Sequence, residues 1–192
     1  MQNTQAKPIV WAVDAFAEDR ALQLKTTAIL KSFRLGDIQP VYVLGPETLN
    51  WNNVPVEEWS RTLKPQAQAA LENFLEQAGL NKGLSTSSSE LEGGVRRPEV
   101  LIHDDVGRRA SAQRLIAHAE EIGASLIVVA THARQGLEKW LFGSFTDALI
   151  SESRIPLLIA NPDISKPSRF QHLVFATDFS DVSRASFAAI LP

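Results

Sequence analysis

The segment ATHARQGLEKWLFGS, residues 130–144, has the layout of a loop that could hold an anionic group. It follows the apolar run SLIVVAT and leads into a segment with helical spacing. At such a strand-to-helix junction, backbone N–H groups and the positive end of the helix favour phosphate. Arg134 could pair with phosphate oxygens through two hydrogen bonds, and Ser144 could meet a phosphate while capping the helix. Alanine stands at positions 130 and 133, however, where glycine would suit this chemistry better.

Each polar group of this segment also has a purely structural interpretation. An exposed arginine is usually solvated, and a serine that precedes a helix is often an N-cap and nothing more. His132 has no second histidine or carboxylate nearby at metal spacing, so a structural imidazole is the favoured interpretation.

Polar residues end two further apolar runs. Asp14 could accept hydrogen bonds from a ribose hydroxyl or an adenine amine, because doubly wound folds bind ligands at the carboxyl ends of their strands. A helix cap or a solvated turn residue is the alternative. His103, Asp104 and Asp105 form the second cluster. A metal site there is disfavoured, since adjacent carboxylates on a loop usually face water.

The sequence lacks the signatures of several enzyme classes. The patterns GxxxxGK[ST], GxGxxG, GxSxG and HExxH are absent, and no nucleophile stands beside a base. Zero cysteines exclude disulfides, thiolate zinc sites and cysteine nucleophiles. A net charge of −3 without a basic cluster argues against binding nucleic acid. The N-terminal residues lack a signal peptide and the apolar runs are too short to cross a membrane, which indicates a cytoplasmic protein.

The elements that must position these groups alternate along the chain. Five short, apolar, β-branched runs are typical of strands buried on both faces, namely 9–15, 41–44, 99–103, 125–131 and 155–160. Four segments with helical spacing lie between them, namely 19–33, 61–77, 109–122 and 144–151. This order predicts an α/β fold with a five-stranded doubly wound parallel sheet and right-handed crossovers.

Two stretches interrupt the alternation. Residues 45–60 carry Trp51 and Trp59 and exceed the length of a usual α/β connection, so they are predicted to form a small excursion or a cover. Packing in the core is the favoured role for these tryptophans, and a lid over a small molecule is the alternative. Residues 84–94 are rich in serine and glycine and are predicted to be mobile.

The end of the chain repeats its beginning. When residues 9–22 are placed over 173–186, five of fourteen positions are identical, and Asp14 falls on Asp178. We therefore divide the chain into a domain at 1–164, a linker at 165–170 and the start of a second copy at 171–192. Either the sequence is part of a longer tandem protein, or this segment docks on the first domain or on a neighbouring chain.

Taken together, these motifs resemble the universal stress protein family over residues 8 to about 162, with a restart at 171. The family's loop reads G-x-x-G, nine residues, then G-[ST], commonly within a string such as GTHGRxG...GS. This chain keeps the spacing together with Thr131, His132, Arg134, Gly136 and the Gly143-Ser144 pair. The segment AEEIGASLIVVA is similar to the family's AxxxxADLIVxG.

The resemblance implies a doubly wound module that pairs with a second copy, as a homodimer or within a tandem chain. We expect the pairing to use the edge strand 155–160. Some members bind ATP between the first-strand aspartate, the second-strand backbone and the glycine loop. By this resemblance the corresponding residues are Asp14, Val41 or Val43, and the loop residues Ala130, Thr131, His132, Ala133, Arg134, Gly136, Gly143 and Ser144.

Two departures from the family predict a degenerate nucleotide site. Alanine at a position that demands positive φ costs about 1 to 2 kcal/mol, and where φ is ordinary its methyl still occupies space that a phosphate would use. Phe16 could lie over the adenine slot, where the family has small polar residues. We expect a non-catalytic module without a cofactor that acts through dimerisation or scaffolding. The alternatives are an ATP-binding switch with slow hydrolysis and a reshaped pocket for another small molecule.

Overall fold

A computed structural model describes residues 7–17, 20–32, 37–46, 55–80, 94–131, 144–160 and 174–190. Within these residues the predicted five-stranded parallel sheet is confirmed, with strands β1 (Ile9–Ala12), β2 (Ile38–Leu44), β3 (Glu99–Ile102), β4 (Leu126–Ala130) and β5 (Leu157–Ala160). The strand order is β3-β2-β1-β4-β5, and all four neighbouring pairs run parallel. The order reverses direction between β1 and β4, which is the switch point of a doubly wound sheet.

Helices cover both faces of this sheet. Four of the described helices do so, namely α1 (Ala21–Ser32), α2 (Val56–Gln77), α3 (Arg108–Glu121) and α4 (Ser144–Glu152), and a fifth, α5 (Asp181–Ile190), lies in the terminal segment. Helices α1 and α2 lie on one face and α3 and α4 on the other, as the rule of right-handed crossovers requires for this strand order. The two apolar clusters of the core follow this division, since one contains residues of α1 and α2 and the other contains residues of α3 and α4.

The first cluster is built around large aromatic side chains. Trp11 of β1 is fully buried, and its ring centroid lies 5.8 Å from that of Phe74 on α2. Residues of α2 at helical spacing continue the buried stripe at Trp59, Leu63 and Ala67. This stripe explains why α2 packs along the sheet.

The second cluster is made of smaller side chains. Val10, Val41 and Ile127 project from three adjacent strands, and Leu115 and Ala119 of α3 cover them. Because successive residues of a strand point to opposite faces, Val10 and Trp11 fill different clusters. The continuously apolar runs of the sequence thus correspond to strands that are buried on both sides.

Strand β2 begins three residues before the predicted run at 41–44 and includes Pro40. Proline lacks the N–H that a central strand normally donates. Here it is tolerated because Pro40 pairs with Trp11 of β1, while the pairing of β2 with β3 begins only at Val41 and Glu99.

The prediction that residues 45–60 form an excursion was wrong in its second half. Helix α2 begins at Val56 instead of residue 61, directly after Pro55 with φ of −59°. Glu57 and Glu58 occupy its first turn, where carboxylates complement the helix dipole. Residues 47–54, including Trp51, lie outside the described residues.

Most of the predicted mobile segment at 84–94 also lies outside the described residues. Its last residue, Gly94, donates its backbone N–H to Oδ1 of Asp37 at 3.0 Å. None of the described helices combines the length and the apolar character needed to cross a membrane.

The terminal segment, predicted to start a second copy, forms a helix but no strand in the described residues. Helix α5 spans Asp181–Ile190, whereas residues 174–180 pair with no strand. Val174, Phe179 and Val182 are exposed. Positions 174–176, equivalent to 10–12, would need backbone partners to form a strand, and no strand among the described residues supplies them.

Candidate functional site

The candidate site lies at the carboxyl ends of β1, β2 and β4. Parallel strands end at the same edge of the sheet, so the fold brings together residues that are far apart in sequence. Asp14 follows β1 by two residues, Thr131 follows β4 directly, and Ser144 is the first residue of α4. This edge at the switch point is where open α/β sheets bind ligands.

Asp14 is exposed and closes a tight turn. Its Oδ1 accepts the backbone N–H of Phe16 at 3.0 Å, and its carbonyl accepts a hydrogen bond from Nε2 of Gln23 at 2.9 Å. An aspartate that binds the N–H two residues on forms an Asx turn. The turn alternative for Asp14 is therefore seen in the structure, and its side chain faces solvent at the same time.

The two candidate contacts on β2 differ in accessibility. Val41 is fully buried, and its carbonyl accepts the N–H of Val13 at 2.9 Å. Val43 lies one residue before the end of β2 and is half-buried. If a ligand meets the backbone of this strand, Val43 is the better placed of the two.

Ala130 is the last residue of β4 and pairs with Ala160 of β5. Its backbone is that of a strand, and among the described non-glycine residues only Phe179 has positive φ. The predicted cost of positive φ therefore does not apply to Ala130, and the argument that remains is steric. Thr131 is buried, and its N–H donates to the carbonyl of Ala160 at 3.0 Å.

The rest of the loop falls outside the described residues. This applies to five of the candidate positions, His132, Ala133, Arg134, Gly136 and Gly143. Ser144 is exposed at the start of α4. The assignment of ligand contacts to this loop stays a prediction.

Phe16 forms an aromatic contact at the same edge of the sheet. Its ring lies edge-on to that of Tyr42, with centroids 5.7 Å apart and an interplanar angle of 86°. Tyr42 is buried, whereas Phe16 is 42% exposed. An aromatic ring therefore lies across the ends of β1 and β2, next to Asp14.

The cluster at the end of β3 is divided between the core and solvent. His103 is buried and its Nε2 lies 2.8 Å from Oγ of Ser111 on α3, whereas Asp104 and Asp105 are exposed. Over the described ranges, no set of three or more histidine or acidic side chains could hold a metal ion. The hydrogen bond to α3 gives His103 a structural role directly after β3.

Of the two tryptophans that could form a lid, the structure describes Trp59. It is 2% exposed and belongs to the first apolar cluster. The alternative that Trp59 covers a ligand was wrong, because its position on the buried stripe of α2 directs it into the core. Trp51 lies outside the described residues.

Sequence reasoning missed Gln23 as a residue that shapes this site. Gln23 is only 5% exposed and holds the carbonyl of Asp14. The sequence did contain a signal for its burial. Position 23 lies four residues before the buried Thr27 and seven before the buried Leu30, so the three share one face of the helix. A glutamine on a buried stripe has to find polar partners.

The five-stranded parallel sheet with its switch point defines a doubly wound α/β protein. Comparison with family models identifies the family: residues 5–161 match the universal stress protein family. The chain belongs to that family, which takes part in the stress response. The resemblance drawn from the loop and strand motifs is confirmed at this level, and the tandem arrangement stays a prediction.

Several solved structures are similar to this chain. Hypothetical protein MJ0577 is 21% identical, with a TM-score of 0.52 over 82% of this chain and 96% of the other. Hypothetical protein PH0823 is 18% identical, with a TM-score of 0.56 over 81% of this chain and 95% of the other. A universal stress protein from Archaeoglobus fulgidus in complex with dAMP is 16% identical over 81% of this chain and 98% of the other, with a TM-score of 0.45.

Proposed function

We propose that this protein is a non-catalytic stress-response module whose adenine-nucleotide site is degenerate and which acts through self-association or scaffolding. The observation that carries the proposal is Ala130. It ends β4 beside β1, where a phosphate chain bound at the sheet edge would approach the backbone. A methyl group there takes up room that glycine would leave free.

A second alanine adds to this effect. Ala133 stands where the family loop has its next glycine. Each loss of about 1.4 kcal/mol in binding free energy weakens affinity tenfold. Two unfavourable methyl groups would therefore reduce an ordinary nucleotide affinity to a marginal one.

The contacts of the polar residues support a role without catalysis. Nε2 of His103, which directly follows β3, lies 2.8 Å from Oγ of Ser111 on α3, and both residues are buried. A general base must reach a proton of a bound substrate. Burial gives this pair a structural role instead.

Self-association through β5 follows from its position at the edge of the sheet. The N–H of Ile127 donates to the carbonyl of Pro156, and that of Thr131 donates to Ala160. Along a parallel strand the backbone N–H and C=O groups of successive residues point to opposite sides. Those of Leu157 and Ile159 therefore point away from β4. Among the described residues no strand pairs with this outer side, and an edge strand with apolar side chains invites a second strand.

An ATP-binding switch is the second candidate. Asp14 and Ser144 are both exposed at the ligand edge, so a carboxylate and the start of a helix are available to a nucleotide. This candidate requires the loop to accept phosphates despite its alanines.

Mass spectrometry of the denatured protein separates the two candidates. A degenerate site releases no stoichiometric adenine nucleotide from freshly purified protein. Release of about one nucleotide per chain would favour the switch. Light scattering of the same sample tests self-association, and a monomer at high protein concentration would contradict it.

A further inference from the structure

We infer that Phe16 blocks the position that the planar ring of a nucleoside would need at the ends of β1 and β2. This inference deepens the proposed degenerate site and rests on it. The two obstructions concern different parts of a ligand. Phe16 obstructs its ring, whereas the alanines of the loop obstruct its phosphates. Nucleosides without phosphates can therefore test it separately.

The position of the ring carries the inference. Asp14 supplies an exposed carboxylate at the end of β1, and a ligand amine that meets it must lie beside the turn that follows. Phe16 occupies that turn, and its ring lies edge-on to Tyr42 of the neighbouring strand. A flat heterocycle beside Asp14 would have to displace this ring.

The backbone beneath the ring is held from two sides. Oδ1 of Asp14 accepts the N–H of Phe16 at 3.0 Å. Nε2 of Gln23, on α1, donates to the carbonyl of Asp14 at 2.9 Å. Gln23 is buried, so α1 fixes the turn from the protein side. Phe16 can then clear the site only by a side-chain rotation that gives up its contact with Tyr42.

The partial exposure of Phe16 makes it a suitable position for substitution. It is 42% exposed, and shortening such a side chain does not open a cavity in the core. Leu24 is a matched control, because it is also apolar, lies on the following helix and is 44% exposed.

The experiment combines two substitutions and two ligands. Phe16→Ala is made in the natural loop and in a loop with Ala130→Gly and Ala133→Gly. Adenosine and ATP are each titrated into the four proteins by NMR or calorimetry, with Leu24→Ala and Phe16→Trp as controls. Thermal unfolding confirms that every variant is folded.

We expect Phe16→Ala to raise the affinity for adenosine roughly tenfold in both loops, because adenosine has no phosphate to meet the alanines. Phe16→Trp and Leu24→Ala should produce no gain. An adenosine affinity that stays within about twofold of the starting protein after Phe16→Ala would overturn the inference. Tight ATP binding by the unchanged chain would instead overturn the degenerate site, and the adenosine series would still decide the role of Phe16.

Discussion

The backbone nitrogen of Ser180 lies 2.9 Å from Oδ1 of Asp178. The same contact joins Phe16 to Asp14 at 3.0 Å, 164 positions earlier in the chain. The turn before α5 therefore has the local hydrogen bond of the turn before α1, although Phe179 has positive φ and the corresponding Ala15 does not. Together with the five identities, this supports our proposal that the terminal segment is the start of a second copy.

Asp178 predicts a pH effect that is confined to this turn. Hydrogen bonds from the hydroxyl and the backbone N–H of Ser180, with a further one from the Ser183 hydroxyl, lower the pKa of Asp178 from 3.8 to about 2. A carboxyl group whose pKa is lower in the folded than in the unfolded protein stabilises the folded state at pH values above its unfolded pKa. The turn should therefore hold at neutral pH and weaken as the pH falls from about 4 to about 2.

NMR titration of the Asp178 carboxyl group measures this directly. Ser180→Ala should move the pKa upward, whereas Ser186→Ala, whose hydroxyl bonds to Val182, should leave it unchanged. A carboxyl that titrates near 3.8 in the unchanged protein would rule out the turn as described.

Trp59 predicts a large effect on stability. Since it is buried among Leu63 and the other members of the first cluster, Trp59→Ala should lower the free energy of unfolding by about 3 to 5 kcal/mol. Leu24→Ala should change it by no more than about 0.5 kcal/mol. Denaturant unfolding provides both values. A loss below about 1 kcal/mol for Trp59→Ala would mean that this side chain is not part of the core.

The edge of β5 predicts different outcomes for proline at two adjacent positions. The N–H of Ile159 points outward, so Ile159→Pro should abolish self-association while the domain stays folded. The N–H of Leu158 points toward β4, so Leu158→Pro would leave a buried carbonyl of β4 without its donor. It should therefore lower the free energy of unfolding by about 1 to 3 kcal/mol more than Ile159→Pro does.

Light scattering and denaturant unfolding of the two proline variants provide the test. A dimer that survives Ile159→Pro would show that self-association uses another surface. Equal losses of stability at positions 158 and 159 would contradict the assigned direction of the backbone groups.

The sequence predicted the sheet well because each strand is buried on both faces and reads as a continuous apolar run. It failed at the start of α2. The helical spacing of Trp59, Leu63 and Ala67 was present, but the prolines and asparagines before them favoured an irregular segment. Helix boundaries depend on which face of the chain reaches the core, and local composition does not report that.

The site was predictable only at the ends of the strands. Asp14 and Thr131 could be placed because polar residues after apolar runs mark the carboxyl edge of a parallel sheet. The contact between Phe16 and Tyr42 could not, because it depends on the register of β1 against β2 and on the face toward which Tyr42 points. The hydrogen bond from Gln23 required the packing of α1 as well.

The most direct test of the degenerate site is calorimetry of the unchanged chain with ATP. We predict no binding in the low-micromolar range, and a gain of roughly tenfold or more when Ala130→Gly and Ala133→Gly are combined. Low-micromolar binding of ATP by the unchanged chain would contradict the account, because phosphates would then fit beside the methyl groups at positions 130 and 133.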